Sequence, residues 1–156
     1  MKAIIAISEG GVIGNGDSLP WPKIPGDLKF FKKETLGKKV IMGKKTYDGI
    51  LKTGQTLPGR KVFVATHNPE LFNFSNKNRD HFFFDPRFCL IDPTDDAIIA
   101  GGKSIYEFYM PLIKEVLITM VKGKFEGNVL APDFGVLDLA EVIEETDKYN
   151  IYRFLK

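Results

Sequence analysis

Asp27 is the residue whose type and surroundings most directly indicate chemistry. Because Pro25 fixes φ and suits the first position of a helix, we expect a helix to begin there with Asp27 in its first turn. Phe31 follows Asp27 at i+4 on the same helix face, and Trp21 lies just upstream, so the carboxylate has an aromatic surround. A carboxylate can accept two adjacent N–H donors of a flat heterocycle, which indicates a pocket acid. The alternative is an acid that stabilises the positive end of a helix dipole.

A second group of residues could bind phosphate. Gly43 ends the apolar run 40–43 and is followed by Lys44, Lys45 and Thr46, where a short helix is predicted to begin. The ammonium groups and the free backbone N–H groups of such a helix start attract a phosphate. The alternative is a solvated lysine pair beside a helix cap.

The glycine pair at 101–102 has a similar setting. It follows the predicted strand 96–100 and precedes a helical pattern that includes Ile105. Glycines let the backbone approach a pyrophosphate closely, and the helix start supplies N–H donors. Because the G-x-G-x-x-G spacing of dinucleotide-binding turns is absent, an ordinary tight turn is the alternative.

Arg60 follows the turn signal at 57–59 and leads into the apolar run 62–65. Its planar guanidinium suits a carboxylate, whereas a solvated arginine at a strand start is the alternative. Thr66 and His67 end the same predicted strand, at the edge where open α/β sheets bind ligands. This edge therefore adds hydroxyl and imidazole groups to the candidate site.

Composition and charge narrow the class of protein. The 156 residues fit one domain, and 22 basic against 20 acidic residues give a net charge of +2, too small to predict nucleic acid or an anionic membrane as partner. Cys89 is the single cysteine, which excludes an intramolecular disulfide and favours a reducing compartment. His67 and His81 show no metal-ligand spacing, so we expect no metal site. Without a signal-like or membrane-length apolar run, we expect a cytoplasmic protein.

The elements that position these residues follow from apolar runs bounded by turn residues. Such runs predict buried strands at 3–7, 40–43, 62–65, 96–100 and 116–121, a short strand near 82–84, and a closing hairpin of 140–145 and 149–155. Helices are predicted at about 26–36, after Thr46 and after the glycine pair. The glycines and small polar residues of 12–18 predict a mobile loop beside Asp27.

In their order and spacing these segments resemble the dihydrofolate reductase family over nearly the whole chain. The resemblance rests on residues 12–14, 19–21, 25–32, 40–46, 57–60, 101–102 with 105–106, and 117–119. It implies an α/β fold with one domain over 1–156. The expected core is a mostly parallel, twisted sheet of about eight strands with an antiparallel C-terminal hairpin, flanked by about four helices.

The resemblance also implies an activity, the NADPH-dependent reduction of 7,8-dihydrofolate to tetrahydrofolate for one-carbon metabolism, with hydride transfer to C6 and protonation of N5. Asp27 and Thr119 would hold the pterin, and solvent near Trp21 and Leu19 would deliver the proton. Antifolate inhibitors are implied as further ligands, and a monomer is expected.

The matching positions assign ligand contacts residue by residue. The implied substrate contacts are Ile4, Ile5, Asp27, Leu28, Phe31, Ile50, Leu57, Arg60, Ala100 and Thr119, with Arg60 as the clamp on the glutamate carboxylate. The implied cofactor contacts are Ala6, Ile13, Gly14, Gly43, Lys44, Lys45, Thr46, Thr66, His67, Gly101, Gly102, Lys103, Ser104, Ile105 and Tyr106.

The sequence departs from the family pattern at several positions. Ala100 stands where a larger apolar residue is usual, which we expect to widen the pocket between pterin and nicotinamide. Asn128 and Val129 replace an acid and a threonine, which we expect to alter the support of the loop at 12–18. The other departures are Tyr47 for tryptophan, Lys44 for arginine, His67 for serine or arginine, and the lack of a helical pattern in 85–96.

Two other functions fit parts of the pattern. A related pteridine or pyrimidine reductase could share the fold and the cofactor, although the pairing of the Asp27 segment with Arg60 favours folate. A folate- or nucleotide-binding module without turnover is compatible with the wider pocket and the changed loop.

Overall fold

The protein is described by a computed structural model that covers residues 1–16, 18–73, 81–88 and 96–156. Its strands are β1 (Lys2–Ser8), β2 (Val12–Gly14), β3 (Lys39–Gly43), β4 (Lys61–Ala65), β5 (His81–Phe84), β6 (Ile98–Ile99), β7 (Glu115–Val121), β8 (Val129–Leu130), β9 (Asp138–Glu145) and β10 (Tyr149–Leu155). Its helices are α1 (Pro25–Thr35), α2 (Lys44–Lys52), the single turn α3 (Glu70–Asn73) and α4 (Lys103–Tyr109). Short 3₁₀ turns occur at Pro86–Phe88 and Met110–Leu112.

Eight of the strands form one sheet in the order β5-β4-β3-β6-β1-β7-β10-β9. All neighbours from β5 to β7 are parallel, whereas β10 is antiparallel to both β7 and β9. The predicted mostly parallel sheet with an antiparallel C-terminal hairpin is therefore confirmed. The parallel strands are continuous apolar runs because both of their faces are covered.

The helices cover opposite faces of this sheet. One face packs against α4 through Tyr106, and the other packs against α1 through Phe30 and against α2 through Tyr47. Because side chains alternate along a strand, Ile5 of β1 joins the α4 side whereas Ile4 joins the α1 side. Each such side chain contributes about 1.5–3 kcal/mol by its burial.

The order of the strands reverses between β1 and β3. From β3 the chain proceeds outward to β4 and β5, and it then returns to place β6 between β3 and β1. Strand β7 is added on the other side of β1. Ligands of open α/β sheets bind outside the carboxyl ends of the strands at such a switch point, so the ends of β1, β3 and β6 are where a site is expected.

The expectation of about four flanking helices was wrong. In the described ranges, three helices of seven to eleven residues flank the sheet, and α3 has four residues. Patterns in the sequence predict only the three longer helices, α1, α2 and α4, and the fourth was implied by the family resemblance alone. Among these described helices, none is long and apolar enough to cross a membrane.

Two sequence interpretations of irregular segments also need correction or limits. Residues 12–18 are not simply a loop, because Val12–Gly14 forms β2 and pairs with β8 in a second, two-stranded sheet. Because Gly14, Asn15 and Gly16 are typical of a loop, the sequence did not predict this short strand. Within 85–96, where the sequence shows no helical pattern, the structure has a 3₁₀ turn at Pro86–Phe88, and residues 89–95, including Cys89, lie outside the described residues.

Candidate functional site

Asp27 lies in the first turn of α1, after an extended Ile24 and with Pro25 at the helix start. The buried Thr119 of β7 donates a hydrogen bond to its carboxylate. Burial raises the pKa of Asp27 above its ordinary value, and the hydrogen bond from Thr119 offsets part of that rise. The acid is therefore held by one donor in a site where most water is excluded.

Thr119 belongs to a row of residues that crosses three strands. It lies beside Ala6 of β1 in the parallel register and beside Ile151 of β10 in the antiparallel register. Adjacent strands are about 4.8 Å apart, so half-buried Ala6 is one strand away from the hydroxyl that holds Asp27.

Tyr106 of α4 bonds to strand β1 and lies close enough to Asp27 to be affected by its charge. Its hydroxyl donates a 2.6 Å hydrogen bond to the carbonyl oxygen of Ile4, and the side chain is 4 % exposed. Burial, followed by the nearby charge of Asp27, raises the pKa of Tyr106. The phenol is therefore a neutral donor whose hydrogen satisfies a carbonyl of β1. Ile5, the next residue, is buried in the cluster on the α4 side.

An apolar wall extends from Asp27 along α1. Phe31 and Ala100 are partly buried and pack against both clusters on the α1 side of the sheet. Ile50 and buried Leu57 belong to the second of these clusters. Four of the predicted substrate contacts thus share one continuous surface.

The approach to Asp27 contains one buried and one exposed apolar side chain. Trp21 is 6 % exposed and meets Phe125 edge to face, with ring centroids 6.0 Å apart. Leu19 is 56 % exposed. Leu28, the residue after Asp27, is half-buried. Leu19 therefore borders solvent, whereas Trp21 closes the surface behind it.

Arg60 is buried rather than solvated. Its side chain is 7 % exposed, and Nε donates to the carbonyl oxygen of Pro58 at 3.2 Å while Nη1 donates to the hydroxyl of Thr35 at 3.3 Å. Burial lowers the pKa of Arg60. Nη2 takes part in neither bond, and no carboxylate in the described part of the chain forms an ion pair with Arg60. Burying a cation without a paired anion is costly, so this position favours the binding of an anion.

The ends of β3 and β6 come together through glycines. The N–H of Gly43 donates to the carbonyl oxygen of Gly101 at 2.7 Å, and the Gly101–Gly102 peptide is cis. A Cβ on Gly101, whose φ is +99°, would lie 3.0 Å from the Tyr106 ring, and one on Gly43 would lie 3.2 Å from Ile105. A side chain is therefore disfavoured at both positions, which keeps the space between the two strand ends open.

The starts of α2 and α4 meet at this glycine cradle, which comprises Gly43, Gly101 and Gly102. The cap residues are Gly43 and Gly102, and a Cβ on Gly102 would lie 3.5 Å from the hydroxyl oxygen of Thr46. First-turn N–H groups have no carbonyl partner within their own helix. The cradle can therefore bind an anion through residues of both first turns, Lys44, Lys45, Thr46, Lys103 and Ser104, whereas the N–H of Ile105 already donates to the carbonyl oxygen of Gly102 at 3.0 Å.

Two of the lysines at the cradle already have acidic neighbours. Lys44 forms an i,i+4 ion pair with Asp48, and Lys103 approaches Glu107 at 3.8 Å. Lys45 is exposed. The backbone N–H groups, rather than the lysine ammonium groups, are therefore the fixed part of this anion site.

A further set of polar side chains lies at the ends of β4 and β5. The N–H of Thr66 donates to the carbonyl oxygen of Phe84 at 2.9 Å, and exposed His67 follows. Hydrogen bonds from the Arg87 guanidinium lower the pKa of Asp85 to about 2, with a smaller contribution from the charge of His67. His67 thus lies in the field of an existing acid–base pair.

A further contact ties β2 to the segment before β8. The N–H of Gly16 donates to Oδ1 of Asn128 at 2.8 Å. A Cβ on Gly127 would lie 2.4 Å from the carbonyl oxygen of Gly14, so this approach requires glycine. The neutral side chain of Asn128 therefore still holds the loop, while Ile13 of β2 packs on the core.

Sequence reasoning missed several partners of the candidate residues. Thr35 bonds to Arg60, Asp85 pairs with Arg87, and Tyr149 lies close to the start of α1. For Thr35, the sequence showed only that it shares the helix face of Asp27. The other partners are distant in sequence or lie in a segment without a clear pattern. No group of three or more His, Cys, Asp and Glu in the described ranges could bind a metal ion.

Comparison with known proteins gives one consistent result. The sequence profile of the family named dihydrofolate reductase matches residues 1–154. The type 8 dihydrofolate reductase of Escherichia coli is 34% identical over 154 residues, which are 95% of this chain and 86% of that protein. The enzyme of Staphylococcus haemolyticus is 29% identical over 157 residues, or 99% and 91% of the two chains. The structure of the Enterococcus faecalis enzyme complexed with NADP(H) and RAB-propyl superposes with a TM-score of 0.81 at 26% identity, covering 99% of this chain and 94% of that one.

The raised pKa of Asp27 has a consequence for stability. The folded state binds a proton at Asp27 more tightly than the unfolded chain does, so ionised Asp27 destabilises the fold above its folded pKa. This penalty fades as the pH falls through that raised pKa and is absent below the ordinary value of about 3.9. We expect Asp27→Asn to raise the melting temperature at pH 7 by about 2 to 4 °C. Thermal unfolding from pH 7 to pH 4 should show the gain shrinking. The exposed Asp138→Asn should show no gain, and a lower melting temperature for Asp27→Asn at pH 7 would contradict the burial penalty.

Proposed function

The chain belongs to the dihydrofolate reductase family, and from this membership we infer that it catalyses the NADPH-dependent reduction of 7,8-dihydrofolate to 5,6,7,8-tetrahydrofolate. The observation that carries the assignment to this site is the half-buried Asp27 carboxylate, held by Thr119 at the edge of the sheet where β1 and β6 end. Such an acid beside a glycine cradle suits a nitrogen heterocycle next to a pyrophosphate.

Asp27 and Thr119 orient the pterin in the proposed complex. The carboxylate accepts the N–H donors of the 2-amino group and N3, while the Thr119 hydroxyl fixes the carboxylate in one rotamer. Because this negative charge lies in a site of low dielectric, it favours positive charge on the pterin ring and so raises the basicity of N5. Phe31, Ile50, Leu57 and Ala100 exclude water from the ring faces.

Protonation of N5 is assigned to solvent. Asp27 binds the opposite part of the heterocycle and cannot reach N5 directly. Leu19 borders water and Trp21 closes the surface behind it, so a single water molecule at this opening can reach the ring.

The residues present fit NADPH. When bound, NADPH supplies the hydride that reduces C6 of the pterin. The glycine cradle and the first turns of α2 and α4 would hold the pyrophosphate, because a Cβ at Gly43 or Gly101 would fill the space against Ile105 and Tyr106. Ala6 and Ile13 would offer backbone groups to the nicotinamide amide, with Gly14 beside them.

Arg60 would bind the far end of the substrate. Thr35, which bonds to Arg60, lies eight residues beyond Asp27 on α1, which corresponds to about 12 Å along the helix. The pterin at Asp27 and a carboxylate at Arg60 thus define an elongated ligand along α1. The free Nη2 and the buried setting make a hydrogen-bonded carboxylate the natural partner.

We further propose that the chain acts as a single domain and a monomer. The large sheet contains strands from Lys2 to Leu155, and every candidate residue comes from one chain. The near-neutral net charge supports a small-molecule substrate rather than nucleic acid, and the single Cys89 supports a cytoplasmic location. As in the family, antifolate inhibitors would bind where the pterin does.

The first experiment measures NADPH oxidation with dihydrofolate at pH 7 in the wild type and in Asp27→Asn. We expect kcat/KM to fall about 10²-fold or more, while the Kd for NADPH stays within twofold, because the lost charge stabilises the protonated pterin. Asp138→Asn serves as the matched control on an exposed strand. Dihydrofolate binding without turnover in the wild type would favour the binding-module alternative, and turnover of another pteridine alone would favour the related reductase.

The second experiment tests the clamp at Arg60. Arg60→Lys loses the planar fork, so the binding of dihydrofolate should weaken by about 1.5 to 3 kcal/mol. A small antifolate without a glutamate should bind the variant as well as the wild type. Calorimetry with both ligands gives the comparison, with Arg153→Lys, an exposed arginine paired to Glu141, as the control. An equal loss for both ligands would remove Arg60 from the clamp.

The third experiment concerns the preference for NADPH over NADH. If His67 contacts the 2′-phosphate, the positive charge of its protonated form strengthens that contact at acidic pH. The ratio of kcat/KM for the two cofactors should then be several-fold higher in the wild type than in His67→Gln at pH 5.5, with a smaller difference at pH 8. The titration of the phosphate itself cancels between the two proteins. The same ratio in the two proteins, or a difference that does not change with pH, would remove a charged His67 from the 2′-phosphate site.

A further inference from the structure

Gly26, the residue before Asp27, is in contact with a side chain from the other end of the sequence. A Cβ on Gly26 would lie 1.8 Å from the hydroxyl oxygen of Tyr149 and 2.7 Å from its Cζ. Gly26 does not have a positive φ, so space rather than backbone conformation requires glycine here. The first turn of α1 therefore rests directly on the Tyr149 hydroxyl.

Tyr149 is fixed in place by its own strand and by β9. Its backbone N–H donates to the Thr146 hydroxyl at 3.0 Å, and its carbonyl oxygen accepts from the same hydroxyl at 2.7 Å. Its ring is 8 % exposed in the cluster that contains Ile4 and Phe30. Its hydroxyl donates to Oε1 of Glu144 at 3.1 Å, so both ends of the side chain are held.

This arrangement sets the position of the pocket acid. The hydrogen of the Tyr149 hydroxyl is directed to Glu144, while its oxygen faces the helix turn that carries Asp27. The charges of Glu144 and Asp27 both act on the phenol, so both acids lie near it. Three elements, β9, β10 and α1, are thus linked through one hydroxyl.

We propose that Tyr149 is a positioning residue for the reaction: anchored by Glu144, it seats Gly26 and so holds the Asp27 carboxylate against Thr119. The inference rests on the proposed function of Asp27 as the pterin acid. Nothing in the local sequence around Tyr149 indicates this role, since it depends on a contact between the first helix and the last strand.

The first test removes the hydroxyl while keeping the ring. Tyr149→Phe should lower kcat/KM for dihydrofolate about tenfold, because a small displacement of a catalytic group has a large effect on rate. The loss should appear as a higher KM for dihydrofolate and a lower kcat, with the KM for NADPH unchanged. Glu144→Gln keeps an acceptor for the hydroxyl and should retain most of the activity. Tyr152→Phe, the same change on the same strand, should have no effect.

The second test uses compensation. Gly26→Ala should lower kcat/KM for dihydrofolate about tenfold or more, although alanine favours a helix, because the methyl group meets Tyr149. Tyr149→Leu removes the obstructing atoms, so Gly26→Ala should have little further effect in that background. Circular dichroism and thermal unfolding establish that each variant is folded.

The outcomes separate the inference from the proposed function. If Asp27→Asn loses activity but Tyr149→Phe keeps wild-type kinetics, or if Gly26→Ala has the same effect in both backgrounds, the positioning role is overturned and the function stands. If Tyr149→Phe lowers kcat with every KM unchanged, in proportion to a loss of folded protein, Tyr149 has only a structural role. If Asp27→Asn itself has no effect on turnover, the proposed function is wrong.

Discussion

The hydrogen bond between Thr119 and the half-buried carboxylate of Asp27 is the interaction on which the arrangement depends. Burying a carboxylate is costly, and one hydroxyl offsets only part of the cost, so the pKa of Asp27 stays above its ordinary value. The surrounding elements are placed so that this unfavourable state is possible. Pro25 starts the helix, β7 supplies Thr119, and the wall that contains Phe31 keeps water away.

In the proposed complex, the switch point of the sheet offers the cofactor and the substrate separate environments. Where β3 and β6 end, glycines leave the backbone free of side chains, and anion binding there depends on N–H groups and helix starts. At the other end of α1, buried Arg60 offers a cation whose own bonds leave Nη2 available. The proposed site thus has an acid at Asp27 for the pterin, a cation at Arg60 for the substrate carboxylate, and the glycine cradle for the pyrophosphate.

Sequence patterns predicted the strands well because parallel strands are buried on both faces and appear as continuous apolar runs, as at 40–43 and 62–65. They predicted where Asp27 lies on α1, because proline restricts helix starts. They failed for β2, whose three residues form a strand only through pairing with β8. The three helices that they predicted are present, whereas the number of about four that the family resemblance implied was too high. Contacts such as Thr35 with Arg60 or Gly26 with Tyr149 join distant segments and leave no local pattern. The assigned roles came from the family resemblance, whereas these supporting contacts came from the fold.

The most direct test of this account is the titration of the Asp27 carboxyl carbon by NMR in the free protein and in Thr119→Val. The account predicts a pKa above the ordinary value of about 3.9 in the wild type, because burial outweighs the hydrogen bond. It predicts a still higher pKa in Thr119→Val, because the donor that favours the ionised form is lost. A pKa at or below 3.9 in the wild type, or one that does not change in Thr119→Val, would contradict it.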